Sequence, residues 1–176
     1  FVIDELKIMF EKDKRFSQVA DFDNIGIFGH SFGGCTSIMS AYNDTRIDAV
    51  LGLDAYFLPL PKEIIKKDLD RPFVHLGQVS WGDSDNYEVM SELGKSSNRE
   101  FYHFTIEGSK HNDYTDFSQF TKLTRKFGSG KISPKSIRYI MNDVMLGFFD
   151  YHLKNRSIFD HNQYQKKYES VKTYVY

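Results

Sequence analysis

The chain has 176 residues, 40% hydrophobic and 27% charged, the size and composition of one globular domain able to bury a sizeable core. A net charge of −1, with Lys and Arg spread along the chain, excludes the cationic footprint of a nucleic-acid binder. The single cysteine, Cys35, excludes an internal disulfide framework and a cysteine-built zinc site, and no run approaches the ~20 apolar residues of a membrane-spanning helix.

The opening stretch FVIDELKIMFEKDKRF carries Ile3, Leu6, Met9 and Phe10 at helical spacing. It has neither an initiator methionine nor a signal-type apolar region, so it reads as starting inside a domain. NIGIFG follows as a short strand and GGCTSIMSAYN as a helix with Cys35, Ile38, Met39 and Tyr42 on one face. IDAVLGLD is nearly continuous in apolar residues, the mark of a strand covered on both faces. LPLPKEIIKKDLDRP is a proline-punctuated loop with room for a short helix. FVHLGQV then reads as a strand, DSDNYEVMSELGK as a helix capped by Asp or Ser, and EFYHFTIEG as another strand. A polar loop, SKHNDYTDFS, precedes a long helix from about Ser133 to Asn155. In that helix Ile137, Met141, Val144, Phe148 and Tyr151 recur at helical spacing and Pro134 sits in the first turn.

Residues 156–176 are polar with scattered tyrosines and read as a partly ordered C-terminal appendage, leaving 1–155 as the portion belonging to a single α/β domain. Four strands alternating with helices imply right-handed crossovers and a parallel sheet, whose reactive groups belong at the carboxyl ends of the strands. The Asn43-Asp44-Thr45 and Asn155-Arg156-Ser157 triplets fit the glycosylation pattern and lean slightly toward secretion.

GHSFGG fits G-x-S-x-G through Gly29, Ser31 and Gly33, with a strand before it and a helix after it. In that context Ser31 sits on a tight, strained turn, its neighbours two positions away must be small, and the following helix aims its first amides at a developing oxyanion. The plainer alternative is a glycine-rich turn with an idle serine. Of six histidines, His30 adjoins the serine and suits structural support. His75 and His103 lie within strands, His152 ends the long helix and His161 is in the tail. His111 alone falls in a polar loop just after a strand, so by elimination it is the general base; a solvated loop histidine is the alternative. For the acid, Asp54 at the end of IDAVLGLD and the Asp83/Asp85 pair after FVHLGQV stand nearly even. Asp113 and Asp116 suit caps of the following turn. A metal held by His111, Asp113 and Asp116 would lack a second histidine at helical spacing, so no metal or other cofactor is expected.

Three segments, GHSFGG, LDAYFLPL and KHNDYTDFS, resemble in order the calcium-independent platelet-activating-factor acetylhydrolases of the plasma and intracellular type II kind, the group VII phospholipases A2 of the α/β-hydrolase superfamily. The resemblance continues more weakly through FGSGKISPKSIRYIMNDVMLGFFDYHLKN and spans about residues 20–155. It implies an α/β-hydrolase fold with its acid after the strand that follows the nucleophile, which favours Asp54. It further implies metal-free hydrolysis of short or oxidised sn-2 acyl esters of phospholipids, with peripheral contact to a membrane or lipoprotein. The backbone amide of Phe32 matches one oxyanion donor. Phe57, Leu58 and Leu60 would lie beside the acyl pocket, or else pack in the core. The family's second oxyanion donor comes from a loop well before the nucleophile strand. The chain therefore reads as the C-terminal half of the fold, the rest of the sheet being supplied by the same longer protein or by another chain. A general carboxylesterase or peptidase of this fold, and a catalytically idle hydrolase-like binding module, are the other functional classes left open.

Overall fold

The structure, a computed structural model, describes residues 1–13, 15–81, 85–156 and 158–176, with residues 122 and 125 described by backbone alone. Ser157 of the second glycosylation triplet lies outside the described residues. After helix α1 (Val2–Lys12) come strand β1 (Ile25–His30), helix α2 (Phe32–Asn43), strand β2 (Ile47–Leu53), the short helix α3 (Lys62–Ile65) and strand β3 (Phe73–Gly77). Helix α4 (Asn86–Lys95), strand β4 (Phe101–Ile106), a 3₁₀ turn at His111–Tyr114 and helix α5 (Phe117–Phe120) follow. A second 3₁₀ turn (Lys122–Phe127), helix α6 (Pro134–Lys154), helix α7 (His161–Lys167) and strand β5 (Val171–Val175) complete the chain.

The strands form one sheet in the order β1-β2-β3-β4-β5, parallel from β1 to β4 and antiparallel between β4 and β5. Register sets the site. His30 stands opposite Leu53 and Leu53 opposite Leu76, so β1, β2 and β3 end level at one rim. One face of the sheet (Ala49, Leu51, Val74, Leu76, Phe104) packs on Ile137, Ile140, Val144 and Phe148 of α6. The other (Val50, Phe73, Phe101) packs on α2 and α4 through Cys35, Ile38, Met90 and Leu93. Each such fully buried aliphatic or aromatic side chain contributes roughly 1.5–3 kcal/mol relative to leaving it in water. Helix α6 matches its sequence signals closely: Ser133 Oγ accepts the Ser136 N–H at 3.0 Å, Pro134 opens the first turn, and Asn155 closes the helix in the left-handed region at φ 50°. No helix among the described residues is long and apolar enough to cross a membrane.

The tail differs from its sequence expectation. It is no loose appendage and brings the strand count to five: Phe159, Tyr164 and Val171 enter the core beside α6, and β5 pairs with β4 from Val171 opposite Ile106 to Val175 opposite Tyr102. Its tyrosines fit where glycines leave room, Tyr164 against Gly147 and Tyr176 against Gly94.

Candidate active site

The chain leaves β1 into Ser31 at φ 56°, ψ −122°, a left-handed backbone that disfavours side chains, and enters α2 at Phe32. The surroundings hold it there. The Ser31 N–H donates to the Leu53 carbonyl at 3.0 Å, and the Ser31 carbonyl accepts from Gly34 at 3.0 Å and Tyr56 at 2.9 Å. A Cβ at Gly29 would run into the Gly33 backbone, so that position must be glycine. Gly33 departs from the expectation that both flanking positions are crowded, for a Cβ there would meet nothing within 4 Å. The tight approach on the helix side is made by Gly34, against Ala55.

Asp54 directly follows β2, fully buried and also left-handed at φ 41°. Its Oδ1 accepts from the Gln78 backbone N–H at 3.0 Å and Trp81 Nε1 at 3.1 Å. Its Oδ2 accepts from Gln78 Nε2 at 2.9 Å and lies 2.6 Å from His111 Nδ1. His111 Nε2 in turn lies 3.0 Å from Ser31 Oγ. With Nδ1–H donating to the carboxylate, Nε2 presents a lone pair to the serine hydroxyl. Three side chains from the ends of β1, β2 and the β4 loop thus form one continuous hydrogen-bonded array.

His111 is held from two more sides. His30 Nε2 donates to the His111 carbonyl at 3.1 Å, with ring centroids 4.4 Å apart, the supporting role its position next to the serine suggested. Trp81 presents its ring to His111 at 4.9 Å and stacks on Tyr56 at 5.5 Å. Burial and the charge of a protonated His111 lower the His30 pKa below the ordinary histidine value. Asp113 sits two residues on and accepts the N–H groups of Lys110 (2.9 Å) and Gly130 (2.6 Å), capping the 3₁₀ turn. Among the described residues no group of three or more His, Cys, Asp or Glu side chains is arranged to hold a metal ion.

The competing acid positions fare differently. Asp85 is exposed at the start of α4, and Asp83 lies outside the described residues. Sequence reasoning did not find Gln78 and Trp81: the loop after β3, considered as a source of the acid, supplies donors to Asp54 instead. Trp81 is the one tryptophan of the chain, its only local signal. Tyr87, whose hydroxyl donates to the Gln78 carbonyl at 2.5 Å, braces that loop. Phe57 and Leu60 are buried in the core with Phe73, Ile38 and Leu93. Of the three residues set beside an acyl pocket, only Leu58 is exposed, and Phe32 carries an exposed ring behind its backbone amide. A cavity of about 750 Å³ lies elsewhere, between Ser118, Ser129 and Arg138.

The profile of the family described as "Platelet-activating factor acetylhydrolase, isoform II" matches residues 6–174. Among curated proteins, the platelet-activating factor acetylhydrolase of Gallus gallus is 29% identical over 143 residues, 80% of this chain and 34% of that protein. Those of Canis lupus familiaris and Bos taurus are each 30% identical, over 80% of this chain and 32% of theirs. The chain therefore spans about a third of the length of these relatives. A solved ferulic acid esterase from Streptomyces cinnamoneus superposes with a TM-score of 0.68 at 21% identity, over 89% of this chain and 48% of that one. The likeness shows an α/β-hydrolase fold, here a mostly parallel sheet between two helical layers.

Proposed function

Because the chain belongs to the platelet-activating factor acetylhydrolase, isoform II, family, we propose that it carries the reacting residues of a serine esterase cleaving short or oxidised sn-2 acyl esters of phospholipids. The observation that carries the reading is the array from Ser31 Oγ through His111 to Asp54, at 3.0 and 2.6 Å. Ser31 Oγ attacks the acyl carbonyl as its proton passes to His111 Nε2; the imidazolium then protonates the departing glycerol oxygen as the carbon–oxygen bond breaks. Water, deprotonated by the same nitrogen, cleaves the acyl-serine and restores the hydroxyl. Asp54 holds the Nδ1–H tautomer and stabilises the imidazolium. The Phe32 N–H, first of α2, faces the oxyanion with the helix dipole behind it. Leu58 contributes apolar surface to the acyl group. The remaining sheet strands and the second oxyanion donor belong to the same longer protein, and the substrate is taken from a membrane or lipoprotein surface.

The test is made on the full-length protein. Ser31→Ala is expected to lower kcat for p-nitrophenyl acetate and for a 2-acetyl phospholipid by about 10⁴-fold or more, and to abolish fluorophosphonate labelling. Long-chain sn-2 substrates should be poor, and a chelator should leave the rate within about twofold. A Ser31→Ala variant hydrolysing at the parent rate would overturn the reading.

A further inference from the structure

Beyond Asp54 the chain leaves the strand ladder, and its backbone groups must find other partners. They find two buried side chains. Asn86, the first residue of α4 and 0% exposed, donates from Nδ2 to the Ala55 carbonyl at 2.9 Å and accepts the Phe57 N–H on Oδ1 at 2.6 Å. His75 of β3, also 0% exposed, accepts the Ala55 N–H on Nε2 at 3.0 Å. Burial and the neighbouring His103 push the His75 pKa well below the ordinary histidine value, so that lone pair persists at working pH.

We propose that Asn86, assisted by His75, is a positioning residue that fixes residues 55–57 and through them both Asp54 and Ser31. The proposal rests on the reading of Ser31, His111 and Asp54 as hydrolytic groups. Its physical basis is a closed circuit. Ser31 N–H reaches Leu53, the chain turns through left-handed Asp54, and Tyr56 N–H returns to the Ser31 carbonyl at 2.9 Å. Asn86 grips that circuit on both sides of Tyr56, whose ring stacks on the tryptophan that donates to Asp54. A buried primary amide is stabilising only where both its donor and its acceptor are used. Here both are spent on the loop that follows the carboxylate, away from Asn86's own helix.

In the full-length protein, Asn86→Leu removes both bonds while keeping the same branching and number of side-chain heavy atoms, and Asn86→Asp keeps an acceptor for Phe57 while losing the donor to Ala55. Asn86→Leu is expected to lower kcat about 10- to 100-fold with KM within about twofold, and Asn86→Asp to recover part of that loss. Fluorophosphonate labelling should slow in the same order. The downfield proton resonance of the His111 Nδ1–H should broaden or vanish in Asn86→Leu. Val144→Ala, in the core of the opposite sheet face, supplies a comparable stability loss and should retain kcat. A sharp, unshifted Nδ1–H resonance in Asn86→Leu would overturn the proposal, whatever Ser31→Ala shows about hydrolysis. So would a kcat loss that Val144→Ala reproduces. Should Asn86→Leu not fold, Asn86→Asp and His75→Gln carry the same comparison, and parent-like kcat and resonance in both would overturn it. A parent-like rate in Ser31→Ala with the resonance lost in Asn86→Leu would instead retire the functional reading and leave the positioning role standing.

Discussion

Asp54 gathers hydrogen-bond donors from the Gln78 backbone and side chain, Trp81 and His111 onto one buried carboxylate. An amide in its place would turn an NH₂ group toward those donors. Asp54→Asn also favours the wrong imidazole tautomer at His111, so kcat/KM for a short-chain ester should fall by about 10⁴-fold, the size seen when the serine-protease triad loses its acid charge. Asp85→Asn, exposed at the head of α4, should stay within about twofold. Steady-state kinetics on both variants separate the two positions; loss confined to Asp85→Asn would remove Asp54 from the mechanism.

At the scale of elements, the elbow between β1 and α2 distinguishes its glycines. Gly29→Ala pushes a methyl into the backbone of Gly33 and should destabilise strongly, by about 2 kcal/mol or more. Gly33→Ala meets open space in the first turn of a helix and should be neutral or stabilise by up to about 1 kcal/mol. Urea titration measures both. The elbow was legible because its glycines, serine and flanking strand and helix are adjacent in sequence, as were the caps and periodicity of α6. The partners of this segment were not, because Gln78 and Trp81 meet Asp54, and Asn86 meets Ala55 and Phe57, only through tertiary folding, and they share no local period. Strand β5 escaped for a related reason. VKTYV buries little beyond Val171, and its identity as a strand comes from pairing with β4, a partner about 70 residues away. Phe57 and Leu60 lie in the core because the segment after Asp54 turns inward under α2 and α4, a direction that LDAYFLPL does not reveal.

At the scale of the whole molecule, the two buried histidines of the sheet, His75 and His103, couple stability to acidity. Desolvation lowers His103 to about 4, while the same ring in an unfolded chain titrates near 6.5. Between those values the unfolded state binds the extra proton, so stability is full above about pH 6.5 and declines as pH falls toward 4, by up to about 3 kcal/mol. His75, shifted in the same direction, adds to the slope. His103→Leu should therefore flatten the decline of the melting temperature between pH 6.5 and 4, and an unchanged slope would show that other groups set it. Strand β1 forms one edge of the sheet, and the chain spans about a third of the length of its curated relatives.

The backbone at Ser31 has one further consequence. Its φ of 56° is a conformation that a residue with a side chain holds at a cost of about 1–3 kcal/mol and that glycine adopts freely. Ser31→Gly should consequently melt several degrees above the parent while hydrolysing nothing, a gain that calorimetry would register. The side chain at this position is thus held against the backbone's own preference.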